Sequence, residues 1–161
     1  MSTPATERFS TAAAELGLAV EVVRFPEDTR TAQQAADALG CGLGQIVKSL
    51  VFKADDELVM VLTSGSNRVD EKLAAPLFGV SKLGRANADE CRAATGFAIG
   101  GIPPCGHPTQ LRVAIDQDLL QYEQIWAAAG APDAVFELTP EYGAQLRDGL
   151  RFAQPIETRG Q

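Results

Sequence analysis

The sequence is short of the residues on which most protein chemistry depends. It holds one histidine, one tryptophan, two tyrosines and three cysteines in 161 residues. A single histidine excludes a His-rich metal centre, and no Asp/Glu cluster has the spacing of a hydrolytic metal site, so no metal and no cofactor is expected. Cys41, Cys91 and Cys105 lie far apart with no CxxC pair, which excludes a disulfide framework and a zinc site and fits free thiols in a reducing compartment. Neither GxxxxGK[ST] nor strand-GxGxxG-helix is present, so nucleotide sites of those kinds are absent. No apolar run approaches the ~20 residues that cross a bilayer, and Met1-Ser2-Thr3-Pro4-Ala5 lacks the layout of a signal peptide. The expectation is a cytoplasmic protein with no membrane partner. Basic residues are also scarce: 14 Lys/Arg against 21 Asp/Glu leave a net charge of −7, which excludes a large duplex-binding surface and makes DNA an unsuitable ligand.

The acidity is uneven. Between Lys48 and Arg112 there are eight Lys/Arg and seven Asp/Glu; the rest of the chain carries six and fourteen. A small site holding one or two phosphates in the middle segment is therefore compatible with the overall charge. With 45% hydrophobic residues, the chain is long enough to bury a core as one domain spanning residues 1–161.

Pattern and punctuation place the elements. Thr3-Pro4 starts a helix with Phe9, Ala12, Ala13 and Leu16 on one face, ending at Gly17. Ala19 to Phe25 is rich in β-branched residues and reads as a strand. Thr31 and Gln34 form a capping box for a helix closed by Gly40. Val47–Lys53 and Leu58–Thr63 read as a hairpin, and a polar loop over 63–68 leads to a helix from Val69 to about Leu77, its end obscured by Pro76. Asn87 and Glu90 start a further helix that Gly96 closes. Leu111–Ile115 reads as a strand, Ile125–Ala129 and Ala134–Leu138 as a hairpin, and Thr139-Pro140-Glu141 as the cap of a last helix to about Leu146. Strands and short helices alternate without a steady βαβ rhythm. The expected fold is α+β, with a mixed, curved, barrel-like sheet surrounded by short helices.

Two features stand out against this background. Residues 95–108 hold four glycines, three prolines and the only histidine. Glycine allows close approach and positive φ, while proline fixes φ and removes a donor, so this composition describes a rigid irregular path, either a binding wall or a connection between strands. Lys48 opens an otherwise apolar strand, where an ammonium needs a partner or an edge from which to reach solvent. A lysine can hold a phosphate or polarise a carbonyl, and preorganised amides around Gly100, Gly101 and Ile102 could stabilise an oxyanion. Such a site can hydrolyse an activated ester without a protein nucleophile if the substrate helps to position the water. Cys105 and His107 offer a competing nucleophile and base. Against that pair, nothing signals an activated thiolate, and residues two apart in an extended loop tend to diverge.

Gln45-Ile46-Val47-Lys48-Ser49-Leu50, Asp70 with Lys72, Thr95-Gly96, Gly100-Gly101-Ile102 and Pro104 to Gly106 resemble, in that order, the YbaK/EbsC-type aminoacyl-tRNA editing domains. These are relatives of the insertion domain of bacterial prolyl-tRNA synthetases, and the likeness covers roughly Thr29 to Leu138. It implies a trans-editing deacylase for mischarged aminoacyl-tRNA, typically tRNA(Pro) carrying a non-cognate amino acid, with the acceptor end as ligand and prolyl-tRNA synthetase as a further partner. Lys48 would be the essential residue beside the terminal adenosine and the ester. Gly100 and Gly101 would present amides, Ile102, Pro103, Pro104 and Gly106 would form the pocket wall, and Ser49 and His107 would be secondary polar contacts. The rival within the same likeness is a non-catalytic module for tRNA ends or a synthetase. The cysteinyl-tRNA(Pro) branch usually has serine at the position of Pro103, leucine at Cys105, a residue other than histidine at His107, and serine and an acid where Ala128 and Val135 align. Cysteine specificity is therefore not implied.

Overall fold

The computed structural model describes residues 4–18, 20–25, 31–109 and 111–138, and the backbone of 154–156 and 159–160. Its frame is a five-stranded sheet built on the expected hairpin. Strands β2 (Val47–Ala54) and β3 (Glu57–Ser64) pair antiparallel throughout, and Asp55, in the left-handed region at φ 58°, turns the chain between them. The sheet continues through β6 (Arg112–Asp116), parallel to β3, and β9 (Gln154–Ile156), parallel to β6, while β5 (Gly84–Arg85) pairs with β2 at Phe52 and Lys53. The sheet is therefore mixed, as expected.

Strand β3 is apolar on both faces because both are covered. Met60 and Leu62 face the main core with Phe9, Phe97, Ile102, Cys105, Val113 and Phe136. Val59 and Val61 face a smaller core with Ala74, Ala75, Phe78 and Leu83. Phe9 comes from α1 (Pro4–Glu15), and its ring centroid lies 4.8 Å from that of Phe136. Leu16, expected on the buried face of that helix, lies past its end and is 47% exposed; Leu18 is buried instead.

A second, antiparallel sheet has the order β1-β8-β7, from β1 (Val22–Arg24), β7 (Ile125–Ala128) and β8 (Ala134–Leu138). β1 is shorter than the expected 19–25 because only three of its residues find partners on β8. The two sheets share the main core, and among the described residues one isolated parallel bridge, between Ile46 and Trp126, links their backbones. The barrel-like closure expected from the sequence is thus not seen among the described strands, which fall into separate sheets. β4 (Asn67–Arg68) occupies part of the expected polar loop by pairing with β10 (Arg159–Gly160).

The helices follow their signals. Thr31 and Gln34 bond reciprocally at 3.1 Å to cap α2 (Ala32–Leu39), which ends at Gly40. The expected helix over 69–77 is α3 (Glu71–Ala74) followed by a 3-10 turn to Phe78, because Pro76 cannot continue an α-helix ladder. Asp70 caps α3 by accepting from the amides of Lys72 and Leu73. Asn87 and Glu90 cap α4 (Ala88–Thr95), which ends at Gly96. The expected last helix, to about Leu146, lies outside the described residues. Among the described residues no helix is long and apolar enough to cross a membrane.

Candidate functional site

Strand β2 has an open side. β5 pairs with it at Phe52 and Lys53, and the other sheet touches its approach at Ile46, so residues 48–51 have no partner there among the described strands. The Ile46 carbonyl accepts from the Gly65 amide at 2.7 Å, across the hairpin. Backbone groups alternate sides along an antiparallel strand, so Ser49 and Val51 turn their N–H and C=O away from β3. Over this gap lies a cleft of about 610 Å³ lined by both faces of β2 and by Arg68, Glu71, Arg85, Ile99 and Ile102.

Lys48 stands at one end of the cleft, half-buried, with its Nζ donating to the carbonyl of Asn67 at 2.9 Å. Burial, reinforced by the neighbouring Arg68 guanidinium, holds this ammonium below the ordinary lysine range, and Asp116 acts in the opposite direction. Ser49 also borders the cleft, and its hydroxyl oxygen is buried without a hydrogen-bond partner among the described residues. Lys48, Arg68 and Arg85 face one carboxylate, Glu71, across this space. The cleft is cationic although the protein carries −7.

The Gly/Pro loop forms the opposite wall. It is anchored where it leaves α4: the buried Thr95 hydroxyl lies 2.7 Å from the Cys91 carbonyl and accepts from the Phe97 amide at 3.1 Å. Ile99 sits 59% exposed at the mouth, while Ile102 to Cys105 are buried. Gly100 takes φ 96°, and a side chain at Gly101 would place its Cβ 2.7 Å from the Ala131 Cα. The loop is thus pressed backbone to backbone against the β7–β8 turn. The Gly101 amide donates to Ala98 at 3.0 Å within the loop, whereas those of Gly100 and Ile102 meet no acceptor among the described residues.

Of the residues singled out from the sequence, Lys48, Ser49 and Ile102 are brought to this cleft. Pro103 and Pro104 are buried behind it. Gly106 and His107 line a second hollow, of about 520 Å³, bounded by α1, the end of α4 and Leu111. His107 Nε2 lies 2.7 Å from the Pro103 carbonyl, which can only accept, so this nitrogen carries a proton. Burial holds its imidazole below the usual histidine range. Cys105 is fully buried, and burial pushes its thiol up to about 12. Such a thiol is not a nucleophile at neutral pH, which removes the Cys105/His107 reading. Arg68, Arg85 and Ile99 were not anticipated: an exposed arginine or isoleucine has no distinguishing sequence signal until the fold gathers it with others.

Comparisons with known proteins agree with this architecture. A solved structure described as "Crystal structure of a putative trans-editing enzyme for prolyl tRNA synthetase" superposes with a TM-score of 0.89 at 41% identity, covering 98% of this chain and 99% of that one. "Putative Cys-tRNA(Pro)/Cys-tRNA(Cys) deacylase EbsC" of Enterococcus faecalis is 30% identical over 131 residues, 81% of this chain and 79% of that protein. A proline--tRNA ligase of Heliobacterium modesticaldum is 31% identical over 117 residues, which are 73% of this chain but 20% of the ligase. The profile of the aminoacyl-tRNA editing domain matches residues 26–146, which include the Lys48 strand and the Gly/Pro loop. The chain therefore belongs to the aminoacyl-tRNA editing domain family, whose members are deacylases, hydrolysing the ester that joins an amino acid to tRNA.

Proposed function

We propose that this protein is a free-standing, cytoplasmic deacylase that removes a non-cognate amino acid from mischarged tRNA, with tRNA(Pro) as the tRNA. The observation that carries the reading is the convergence of Lys48, Ser49 and Ile102 with Arg68 and Arg85 around one cleft. Three cations over an open strand edge suit an acceptor end, whose phosphates are anionic and whose base and ribose offer hydrogen-bonding edges. They also explain how an acidic protein can take RNA: it needs to hold only the terminus.

Lys48 anchors that terminus beside the ester. The amides of Gly100 and Ile102 are the donors we assign to the developing oxyanion, and Gly101 fixes the loop that carries them. A water, positioned by the substrate, adds to the ester carbonyl carbon; the C–O bond to the ribose then breaks, and the ribose oxygen takes up a proton. No protein nucleophile is required. Ile99 and Ile102 supply the apolar surface against which the amino acid side chain is sorted.

The test is ester loss from a panel of mischarged tRNA(Pro) species with wild type, Lys48→Ala and Cys105→Ala. Turnover of at least one species, abolished by Lys48→Ala and kept by Cys105→Ala, is expected. Binding without turnover of any species would instead establish a module for tRNA ends or for prolyl-tRNA synthetase.

A further inference from the structure

Lys48 does not choose its own position. Its ammonium is held by a backbone carbonyl, that of Asn67, and the side chain of Asn67 is pinned from both sides: Nδ2 donates to Asp116 Oδ2 at 3.0 Å and to Asp118 Oδ2 at 2.7 Å. Asp116 is fully buried. Its Oδ2 also accepts from the Thr63 hydroxyl at 3.1 Å and the Ser64 amide at 2.9 Å, and its Oδ1 accepts from the Asp118 amide at 2.9 Å. Thr63 is the cross-strand partner of Lys48. One carboxylate thus ties together the end of β3, the start of β4 and the turn after β6, and all three surround the lysine.

A turn could be closed by neutral hydrogen bonds. Burying a carboxylate to do so is costly unless every lone pair is used and a positive charge lies near. The Thr63 hydroxyl, the Ser64 and Asp118 backbone amides and the Asn67 side chain all donate to Asp116, and the positive charge is Lys48 itself, whose ammonium Asp116 stabilises. We infer that Asn67 and Asp116 are positioning residues that set the place and the charge of the Lys48 ammonium at the cleft. The inference rests on the reading of Lys48 as the substrate anchor. Arg68 on β4 opposes the charge of the ammonium; Glu71 on α3 and Arg85 on β5 line the same cleft, and Asp118 after β6 reaches Lys48 only through the Asn67 side chain.

The test uses the full chain and two readouts, the NMR titration of the Lys48 side chain and the pH profile of single-turnover deacylation. Asn67→Ala is expected to keep the fold, to move the Lys48 titration to lower pH because the carbonyl that holds the ammonium is displaced, and to lower the rate by about tenfold to a hundredfold, the usual cost of a misplaced anchor. Asp116→Asn removes the carboxylate that favours the charged lysine, so the Lys48 titration should move to lower pH, and the alkaline limb of the rate profile should move with it. Glu57→Gln breaks the ion pair with Arg112 at the far end of β3; it reports a purely structural loss and should leave the titration in place. An unchanged Lys48 titration in folded Asn67→Ala and Asp116→Asn proteins overturns the inference. If Asp116→Asn does not fold, Asn67→Ala alone decides it. A wild type that hydrolyses no aminoacyl-tRNA refutes the deacylase reading, while the titration still decides whether these residues position Lys48.

Discussion

Gly101→Ala gives the most direct test of the loop. The added Cβ would lie 2.7 Å from the Ala131 Cα and 2.9 Å from its N and C. These are backbone atoms at the β7–β8 turn, and Ala131 O accepts from the Ala134 amide at 3.1 Å, so the neighbour cannot rotate away as a flexible side chain would. Either the turn or the loop must shift by several tenths of an ångström. Overpacking of this kind costs about 1–3 kcal/mol, and in a chain of this size each kcal/mol lowers Tm by about 2–4 °C. A fall of about 2–12 °C is expected, measured by thermal unfolding. The displaced loop also carries Ile102 away from the cleft, so kcat/KM should drop by more than the unfolded fraction explains. Gly100→Ala is the comparison: its Cβ would meet nothing nearer than Pro132 Cγ at 3.7 Å, and its cost is the positive φ alone, about 1 kcal/mol. Gly101→Ala with the Tm and kcat/KM of wild type would refute the close approach and the wall it supports.

At Lys48 the cost of desolvation outweighs the help of Asp116, so Lys48→Met, although it also takes a charge from that carboxylate, should raise Tm slightly while turnover is lost. Because the folded value of Lys48 lies below the unfolded one, its penalty is present while the lysine is charged. The penalty is relieved as pH rises through that folded value toward roughly 10.4, so the gain of the Met variant should be largest near neutrality and vanish in alkali. His107 behaves in the opposite half of the scale. Its folded value is lowered, so the neutral imidazole is favoured, and stability present above the unfolded value near ~6.5 is lost as pH falls below it. His107→Gln should flatten that acid limb in denaturant melts across pH 5–7.5, leaving Lys48 unaffected.

The parts of the fold that could be read from the sequence are those with local causes. The capping boxes at Thr31 and Asn87 and the two apolar runs of β2 and β3 joined by a short polar turn act over a few residues. β4, β5, β9 and β10 have two or three residues each, and their identity as strands is conferred by partners far away in the chain. The same division holds at the site. Lys48 was legible because a lysine in an apolar strand conflicts with its surroundings. Asn67 and Asp116 were not, since their role exists only when residues 49 positions apart come within hydrogen-bonding distance. Gly101 was legible as important, yet the structure gives it a packing contact, with its amide already committed to Ala98.

The gap along β2 has a consequence beyond catalysis. A row of unpaired backbone groups on a strand edge is a template for another strand, and proteins that keep one open risk polymerising through it. Here the run without a partner among the described strands is only four residues long and shares its cleft with Lys48, Arg68 and Arg85, so an incoming β-strand would have to bury three cations. The charges that we propose hold a tRNA terminus would thereby also protect the chain from its own copies. Neutralising Arg68 and Arg85 together should shorten the time to turbidity at high protein concentration as well as weaken RNA binding.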